Sequence, residues 1–591
     1  GDLTVPEGTT ITWRFSTAHA SAVEVFLADS ALPAQRSGKD RFEAEHRFLD
    51  GGRYAIGVAN EQLHSADTLA YFMQVLPDAY PQITVEQASD STDEKYLFFI
   101  GEAADDYGFT RGGFYYQIER STESGGTAVS DRGNEKIALE KSGNKAGFVH
   151  AWDMGQLQLQ PGDRVNYYFE VWDNDAVNGP KSARSAMMQY RIPGKEELKE
   201  MRDATNASVQ SGLEKVLEEL RDIRKETAEM EDKLLQKKEL NWEDKKVLEN
   251  LMQRQQQLQE KVGELKKELQ ENRQMEQEYL QPEEKIMEKQ RQLEELFNEV
   301  MDEEMKELYK ELQELMEQLN KEQSLEQMEE MDLNNEQLEQ ELDRMLELFK
   351  QLQLEEKMQE AINELEELAK EQEQVSEETK DKSSDMMDNI DKQDDINQKF
   401  EDIKKDLEEI EELNESLEQQ KEMGNMEQQQ QEIGEKLDES KKQLMDNKRK
   451  QAAEEQKSAA EKMQQMAEQM QQQMSQQQQE QQQEDMESLQ RLLDNLLKLS
   501  IDQEDLMYTF RNTGNNQPRY VELMEEQQRI KEDTRMVEDS LIALSKRVMQ
   551  ISSFITREMN AVNKNLEGSL EALHERTTEQ ANVYQQYAMT S

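Results

Sequence analysis

Polar and apolar residues alternate in short runs over the first third of the chain, and the period then changes. "TTITWRF", "AVEVFLA", "RFEAEHRF", "GRYAIGVA" and "TLAYFMQVL" predict strands of one β-sandwich ending near Leu76. "PDAYP" punctuates. A second set follows: "QITVEQA", "KYLFFIGEA", "GGFYYQIER", "EKIALEK", "GFVHAWDM", "DRVNYYFEVW" and "AMMQYRI". Seven strands in about 110 residues fit an immunoglobulin-like sandwich. In its sixth strand Val165, Tyr167, Phe169 and Val171 share one face, and Asn166, Tyr168, Glu170 and Trp172 the other.

Pro193 and Gly194 end the β pattern, and apolar residues then recur at steps of three and four. One run is Leu248, Leu251, Gln255, Leu258, Val262, Leu265 and Leu269. Another is Met301, Met305, Leu308, Leu312, Leu315 and Leu319. A third is Leu338, Leu342, Met345, Phe349 and Leu352. These are heptad seams. Breaks are expected at "LNWEDKK", where Asn241 can cap a helix, at "YLQPEEK", where Pro282 suits a helix start, and at "MDLNNEQL", "KEMGNME" and "RNTGNNQPRY". The helices between breaks are expected to run to roughly 30–45 residues, or about 45–65 Å. Met463, Met466, Met470 and Met474 make a weak seam in a Gln-rich stretch read as continuous helix. Ile530, Val537, Leu541, Leu544, Val548, Ile551 and Ile555 make a richer one near the end.

The fold class is therefore multidomain α and β: two tandem immunoglobulin-like β-sandwiches followed by a long all-α coiled-coil or helical-bundle region. The expected divisions are 1–77 and 78–194 for the sandwiches, 195–375 for coiled-coil helices, 376–484 for low-complexity Gln/Glu/Met-rich helices and 485–591 for an amphipathic bundle segment. The chain starts at Gly1 and stops inside or near a helix, so it is expected to be a piece of a longer protein.

Composition narrows the function. Apolar residues are 35% and charged residues 34%, against roughly 45–50% and about 25% in ordinary globular chains. The net charge of -58 argues against nucleic acid or anionic lipid as partner. Of the charged residues, 17 basic and 28 acidic lie in positions 1–194, so most of the negative charge sits on the helices. There is no cysteine, hence no thiolate metal site. No apolar run reaches the length of a membrane span.

Catalytic patterns are missing. No phosphate-binding loop, no H-E-x-x-H, no G-x-S-x-G and no pair of histidines at ligand spacing occurs. The strongest candidate chemistry is "VWDNDAVNGPKS". Asp173, Asp175 and Asn178, with Asp105 and Asp106 from "EAADDYGFTRGG", supply hard oxygens suited to calcium. The EF-hand pattern fails at Val177 and Arg184, and the competing reading is a hairpin loop rich in turn-forming residues.

Several phrases together resemble one family: "EAADDYGFTRGGFYYQI", "PGDRVNYYFEVWDNDAVNGPKSARS", "NNEQLEQELDRMLELFKQLQLEEKM", "EDMESLQRLLDNLLKLSIDQEDLM" and "VEDSLIALSKRVMQISSFITREM". In this order they are similar to the domain of unknown function 4175 family in its Bacteroidota-type form, over nearly the whole chain. The resemblance implies a protein on the periplasmic face of a bacterial inner membrane. Transmembrane helices upstream of this chain would anchor it. It supplies no catalytic residues.

The expected function is a non-enzymatic structural or scaffold component of a cell-envelope assembly. Its helical arms would bind partner proteins or a second copy through seam residues such as Leu258, Leu312, Leu342 and Leu348. The alternatives are a periplasmic holdase-type chaperone using the methionine seam, and an enzyme of unknown type.

Overall fold

The computed structural model describes the chain except residues 63–67, 89–95, 122–126, 238–240, 281, 301–320, 425, 549–550, 552 and 591. It separates into two compact units, Gly1–Leu198 and Lys199–Ser591. The first is built of strands, and the second is helical.

In the first unit, β1 (Leu3–Pro6), β3 (Ala22–Phe26), β4 (Ala31–Pro33), β7 (Gly52–Ala59) and β8 (Leu69–Leu76) form a sheet of order β1-β8-β7-β3-β4. β1 runs parallel to β8. A second sheet orders β2 (Thr10–Ser16), β6 (Arg41–Arg47) and β5 (Gln35–Arg36) as β2-β6-β5. Val25, Ala44, Tyr54 and Met73 from both sheets share one core, with Trp13 packed against it. β2 and β3 alternate inward and outward residues, as half-buried strands do.

The second pair of sheets is richer in aromatic rings. One orders β13 (Glu140–Ser142), β14 (Lys145–Asp153), β10 (Tyr96–Ala104) and β9 (Gln82–Ala88) as β13-β14-β10-β9. The other runs β12-β11-β15-β16, from β12 (Thr127–Ile137), β11 (Phe109–Ser121), β15 (Arg164–Asp173) and β16 (Ser182–Arg184). β17 (Met188–Arg191) also pairs with β15. Phe99, Phe114, Phe148, Trp152, Tyr167 and Phe169 fill the space between them. Gly101 lies under the Phe148 ring, and a Cβ there would collide with it, so only glycine lets these strands carry that ring. The segment expected as "EKIALEK" belongs to two strands: β12 ends at Ile137, and β13 begins at Glu140.

The helical unit contains α1 (Lys195–Gln236, beginning just before the unit boundary), α2 (Trp242–Tyr279), α3 (Glu284–Val300), α4 (Lys321–Lys380), α5 (Met386–Glu415), α6 (Met426–Met445), α7 (Arg449–Arg511), α8 (Pro518–Ser545), α9 (Ser553–His574) and α10 (Thr578–Thr590). Two long helices connect three apolar cores. The first half of α4 packs with α1, α2 and α3 around Leu213, Leu265, Phe297 and Phe349. Its second half packs with α5, α6 and α7 around Leu365, Phe400, Ile433 and Met466. The second half of α7 packs with α8, α9 and α10 around Phe510, Leu523, Leu566 and Ala581. With 60 and 63 residues, α4 and α7 each extend about 90 Å.

Two expected boundaries are marked by their chemistry. Asn241 caps α2 by accepting from Asp244 N (2.9 Å), and the Asp244 carboxylate accepts from Asn241 N (3.1 Å), a reciprocal capping box. Pro282 lies just ahead of α3. The break expected at "MDLNNEQL" does not occur, because α4 is continuous through it. Asn335 is turned inward there and takes a hydrogen bond from Gln255 on α2. An inward asparagine that finds a partner on another helix no longer competes for the backbone. As a result α4 exceeds the expected 30–45 residues; α7 exceeds them too.

Glutamine also sits at the center of the helix contacts. Gln372, Gln393 and Gln456, each fully buried, link α4, α5 and α7 through amide hydrogen bonds of 2.8–3.1 Å. Gln503, Gln527 and Gln585 do the same for α7, α8 and α10 at 2.6–3.0 Å. Polar layers of this kind fix register, since a slip of one heptad would strand amides against leucines.

Candidate functional site

Two places carry the residues that sequence reasoning singled out, and a third comes from the fold. The first is the loop end of the second sheet pair. The β10–β11 loop brings Asp105 and Asp106 there, and the end of β15 brings Asp173 and Asp175. The Asp105 carboxylate accepts from Tyr107 N (3.0 Å) and Gly108 N (2.8 Å), closing a turn in which Gly108 has φ +110°. Asp106 accepts from Ala79 N (3.2 Å). Asp173 accepts from the backbone N–H groups of Asp175 (3.1 Å) and Lys181 (2.8 Å). Asp175 accepts from Val177 N (2.7 Å) and Asn178 N (3.1 Å). The Asn178 side chain donates to Glu7 (2.8 Å) and so ties this loop to the first β part.

The positive charge at this end is Lys181, a residue the sequence reading passed over. Its ammonium lies 2.8 Å from Asp78, 2.8 Å from Asp175 and 4.0 Å from Asp173. Hydrogen bonds from Lys181 and from the loop amides hold the Asp175 carboxyl down at about 2. Burial pushes the Asp78 carboxyl up; Lys181 opposes this, and the neighbouring Asp106 adds to it. Burial alone would lower the Lys181 ammonium, but bonds to Asp175 and Asp78 raise it well above the ordinary lysine value. Among the described residues, no group of three or more His, Asp or Glu is placed to hold a metal ion. Asp105, Asp106, Asp173, Asp175 and Asn178 each take part in loop hydrogen bonds, and Lys181 pairs with Asp173 and Asp175 among them.

Lys181→Met should lower the melting temperature of the β unit by roughly 5 °C at pH 7, because three carboxylates lose their counter-charge. The Asp175 share of this effect is present above the unfolded-state carboxyl range near 3.8 and fades as pH falls through about 2. Calorimetry of both proteins at pH 7 and pH 2 checks this: the gap in melting temperature should narrow in acid.

The second place is the heptad seam. Leu258, Leu342 and Leu348 are 8%, 0% and 1% exposed and belong to one core formed by the chain's own helices. Their contacts lie within the chain. Leu312 lies outside the described residues. Met463, Met466 and Met470 are likewise at most 1% exposed and pack with Ala459 and Ala467, so the methionine seam is interior filling.

The third place, missed by sequence reasoning, is the outer face of α7. Met486 (72% exposed), Leu489 (36%), Leu493 (58%), Leu497 (63%), Ile501 (51%) and Tyr508 (51%) recur at steps of three, four and seven and so fall on one side of the helix. The opposite side, with Leu492, Leu496, Leu499, Leu506 and Phe510, is packed against α8, α9 and α10. The signal was legible in "LQRLLDNLLKLSI": it holds more apolar positions than one buried stripe requires. Acidic residues accompany the exposed stripe. From Glu484 to Tyr508 the helix carries seven Asp or Glu and two basic residues; Glu487, Asp494 and Asp505 are exposed beside the stripe, and Glu504 is exposed within it, between Ile501 and Tyr508.

One buried charged cluster lies inside the helical unit. Gln290 of α3 donates to Glu276 of α2 (3.0 Å) and to Glu356 of α4 (2.9 Å). Arg202 of α1 binds Glu360 of α4 at 2.7 Å. Burial, and then the nearby Glu276 carboxylate, push the Glu356 carboxyl up to about 7. These groups bridge four helices.

Comparison of the chain with family models and with curated proteins finds no match.

Proposed function

We propose that this chain is a non-enzymatic structural or scaffold component of a bacterial cell-envelope assembly, and that its helical unit binds a partner protein along the outer face of α7. The observation that carries the reading is the exposed apolar stripe from Met486 to Tyr508. Contiguous apolar surface with polar margins is the ordinary mark of a protein interaction site. Its acidic margin selects the occupant: an amphipathic helix whose apolar side is flanked by Lys or Arg.

Strand order supports reading both β parts as immunoglobulin-like sandwiches. In the first, β3-β7-β8 faces β2-β6; in the second, β11-β15-β16 faces β14-β10-β9, which match the CFG and ABED halves of that fold. Heptad spacing and the glutamine layers support a coiled-coil-like packing of the helices. The envelope location, the upstream membrane anchor and membership of the domain of unknown function 4175 family rest on the resemblance of the quoted phrases. No helix among the described residues is long and apolar enough to cross a membrane.

The test uses a synthetic helical peptide with a leucine stripe flanked by lysines, and a second peptide with glutamates in place of the lysines. The full chain should bind the first and not the second. The double variant L493D/L497D should keep the parent's melting temperature, because both leucines are exposed, and should bind the lysine peptide at least about tenfold more weakly. The variant is more acidic than the parent. Binding that strengthens on this substitution would therefore mean charge attraction alone and would refute the proposed surface.

A further inference from the structure

The register of the sheet β12-β11-β15-β16 sorts its side chains. On β15, Val165, Tyr167 and Phe169 enter the core, so Arg164, Asn166, Tyr168, Glu170 and Trp172 face outward. Tyr115 pairs with Tyr168 and Asn134, Gln117 with Asn166 and Arg132, and Gly113 with Lys136. Arg184 lies opposite Glu170, and Arg191 opposite Arg164. The outward face therefore carries Arg111, Arg132, Lys136, Arg164, Arg184 and Arg191, all exposed. The acidic residues of that face by register are Glu119 and Glu170. A chain of net charge -58, whose first 194 residues hold 17 basic and 28 acidic side chains, thus has a sheet face of the opposite sign.

Aromatic rings organise the same face. Tyr115 and Tyr168 stack with centroids 5.3 Å apart and planes 14° apart. The Arg111 guanidinium lies 4.2 Å from the Trp172 ring centroid, and the Arg184 guanidinium 4.8 Å from that of Tyr168. The Arg184 guanidinium already pairs with Glu170 at 3.2 Å; that of Arg111, held flat on a ring, is ordered on its long side chain, and its in-plane N–H groups suit the fork of a carboxylate. Arg, Trp and Tyr are the residues most enriched where binding energy concentrates.

We propose that this outward sheet face is a docking surface for an acidic polypeptide segment. The proposal concerns the β unit and is independent of the reading of α7. Carboxylates are favoured over a single-stranded nucleic acid because the rings are already engaged: Tyr115 stacks on Tyr168, and arginines lie over Tyr168 and Trp172. Nucleic-acid sites of that kind leave ring faces open for bases.

The test measures binding of fluorescent poly-L-glutamate, about 30 residues long, to the full chain at 0.15 M salt. The parent should bind, and added salt should weaken binding. R111Q/R184Q removes the stacked guanidiniums. R132Q/K136Q removes charges that take no part in the ring stack, and so keeps the test valid if the first variant folds poorly. Each should weaken binding about tenfold. No binding by the parent, or equal affinity of the parent and R132Q/K136Q, would overturn the proposal. So would tighter binding of an oligothymidylate of equal charge. Concentration-dependent association of the parent that R132Q/K136Q abolishes would assign the face to a second copy and overturn it too.

Discussion

Arg344→Met is expected to cost the helical unit roughly 3 kcal/mol or more of stability. Arg344 lies on α4 and is 2% exposed. Its Nε donates to the Ser545 carbonyl at 2.9 Å, and its Nη2 donates to the Ile551 carbonyl. Ser545 ends α8, where helix carbonyls have no intrahelical partner and the helix dipole presents its negative end. One guanidinium therefore closes the end of α8 and holds the connection toward α9 against α4. Methionine fills a similar volume but leaves both carbonyls buried without these donors. Arg344→Lys keeps the charge but not the fork and should fall between. Urea unfolding followed by helical circular dichroism checks the order parent, lysine, methionine. Hydrogen exchange should show the amides of 541–548 opening first in the methionine variant. A loss under about 1 kcal/mol would mean that packing, not the guanidinium, holds this corner.

Glu356→Gln is expected to make the helical unit more stable at pH 8 and to flatten its pH dependence between pH 5 and pH 8. Glu356 faces Glu276 and Arg273 from α2, Gln290 from α3 and Arg202 from α1. Its folded carboxyl titrates at about 7, above its unfolded value near 4.5. The folded state thus holds a proton that the unfolded state has released. Its full favourable contribution is present below about 4.5 and is lost as pH rises through about 7. For one carboxyl shifted this far the loss is roughly 3 kcal/mol. Asp406, pushed up to about 6 by burial and then by Glu364, acts in the same direction. Glu355 and Glu360 act in the opposite sense: burial raises them, but Lys289 with Lys421, and Arg202 with Lys199, hold them below the usual range. Their contribution is lost in acid. Urea unfolding at pH 5 and pH 8 decides: the parent should lose stability across this interval and the glutamine variant far less. Equal losses would remove Glu356 as the cause.

The period of the apolar residues made the order of elements legible. "DRVNYYFEVW" became β15 with the expected faces because inward and outward residues differ clearly in chemistry. Edge strands such as β4 and β5 are two or three residues long and mostly exposed, too short to leave a pattern. Among the helices, the seam from Leu248 to Leu269 is buried at every expected position. The turn between α6 and α7 was missed because it depends on one residue, Asn447, with φ +60°, which asparagine tolerates without a glycine to announce it. Of the candidate sites, the acidic loop was found but not its lysine, since Lys181 meets Asp78 only after a separation of 103 residues. The exposed α7 stripe escaped because surplus leucines in a heptad text look like core until a partner helix is found for each face.

Hydrogen exchange of the full chain, with and without the lysine-flanked leucine peptide, tests the proposed interaction function most directly. Protection confined to residues 486–508, absent in L493D/L497D, is the result the proposal predicts. Protection spread over the acidic helices, or unchanged exchange across 486–508 while the peptide is bound, would contradict it.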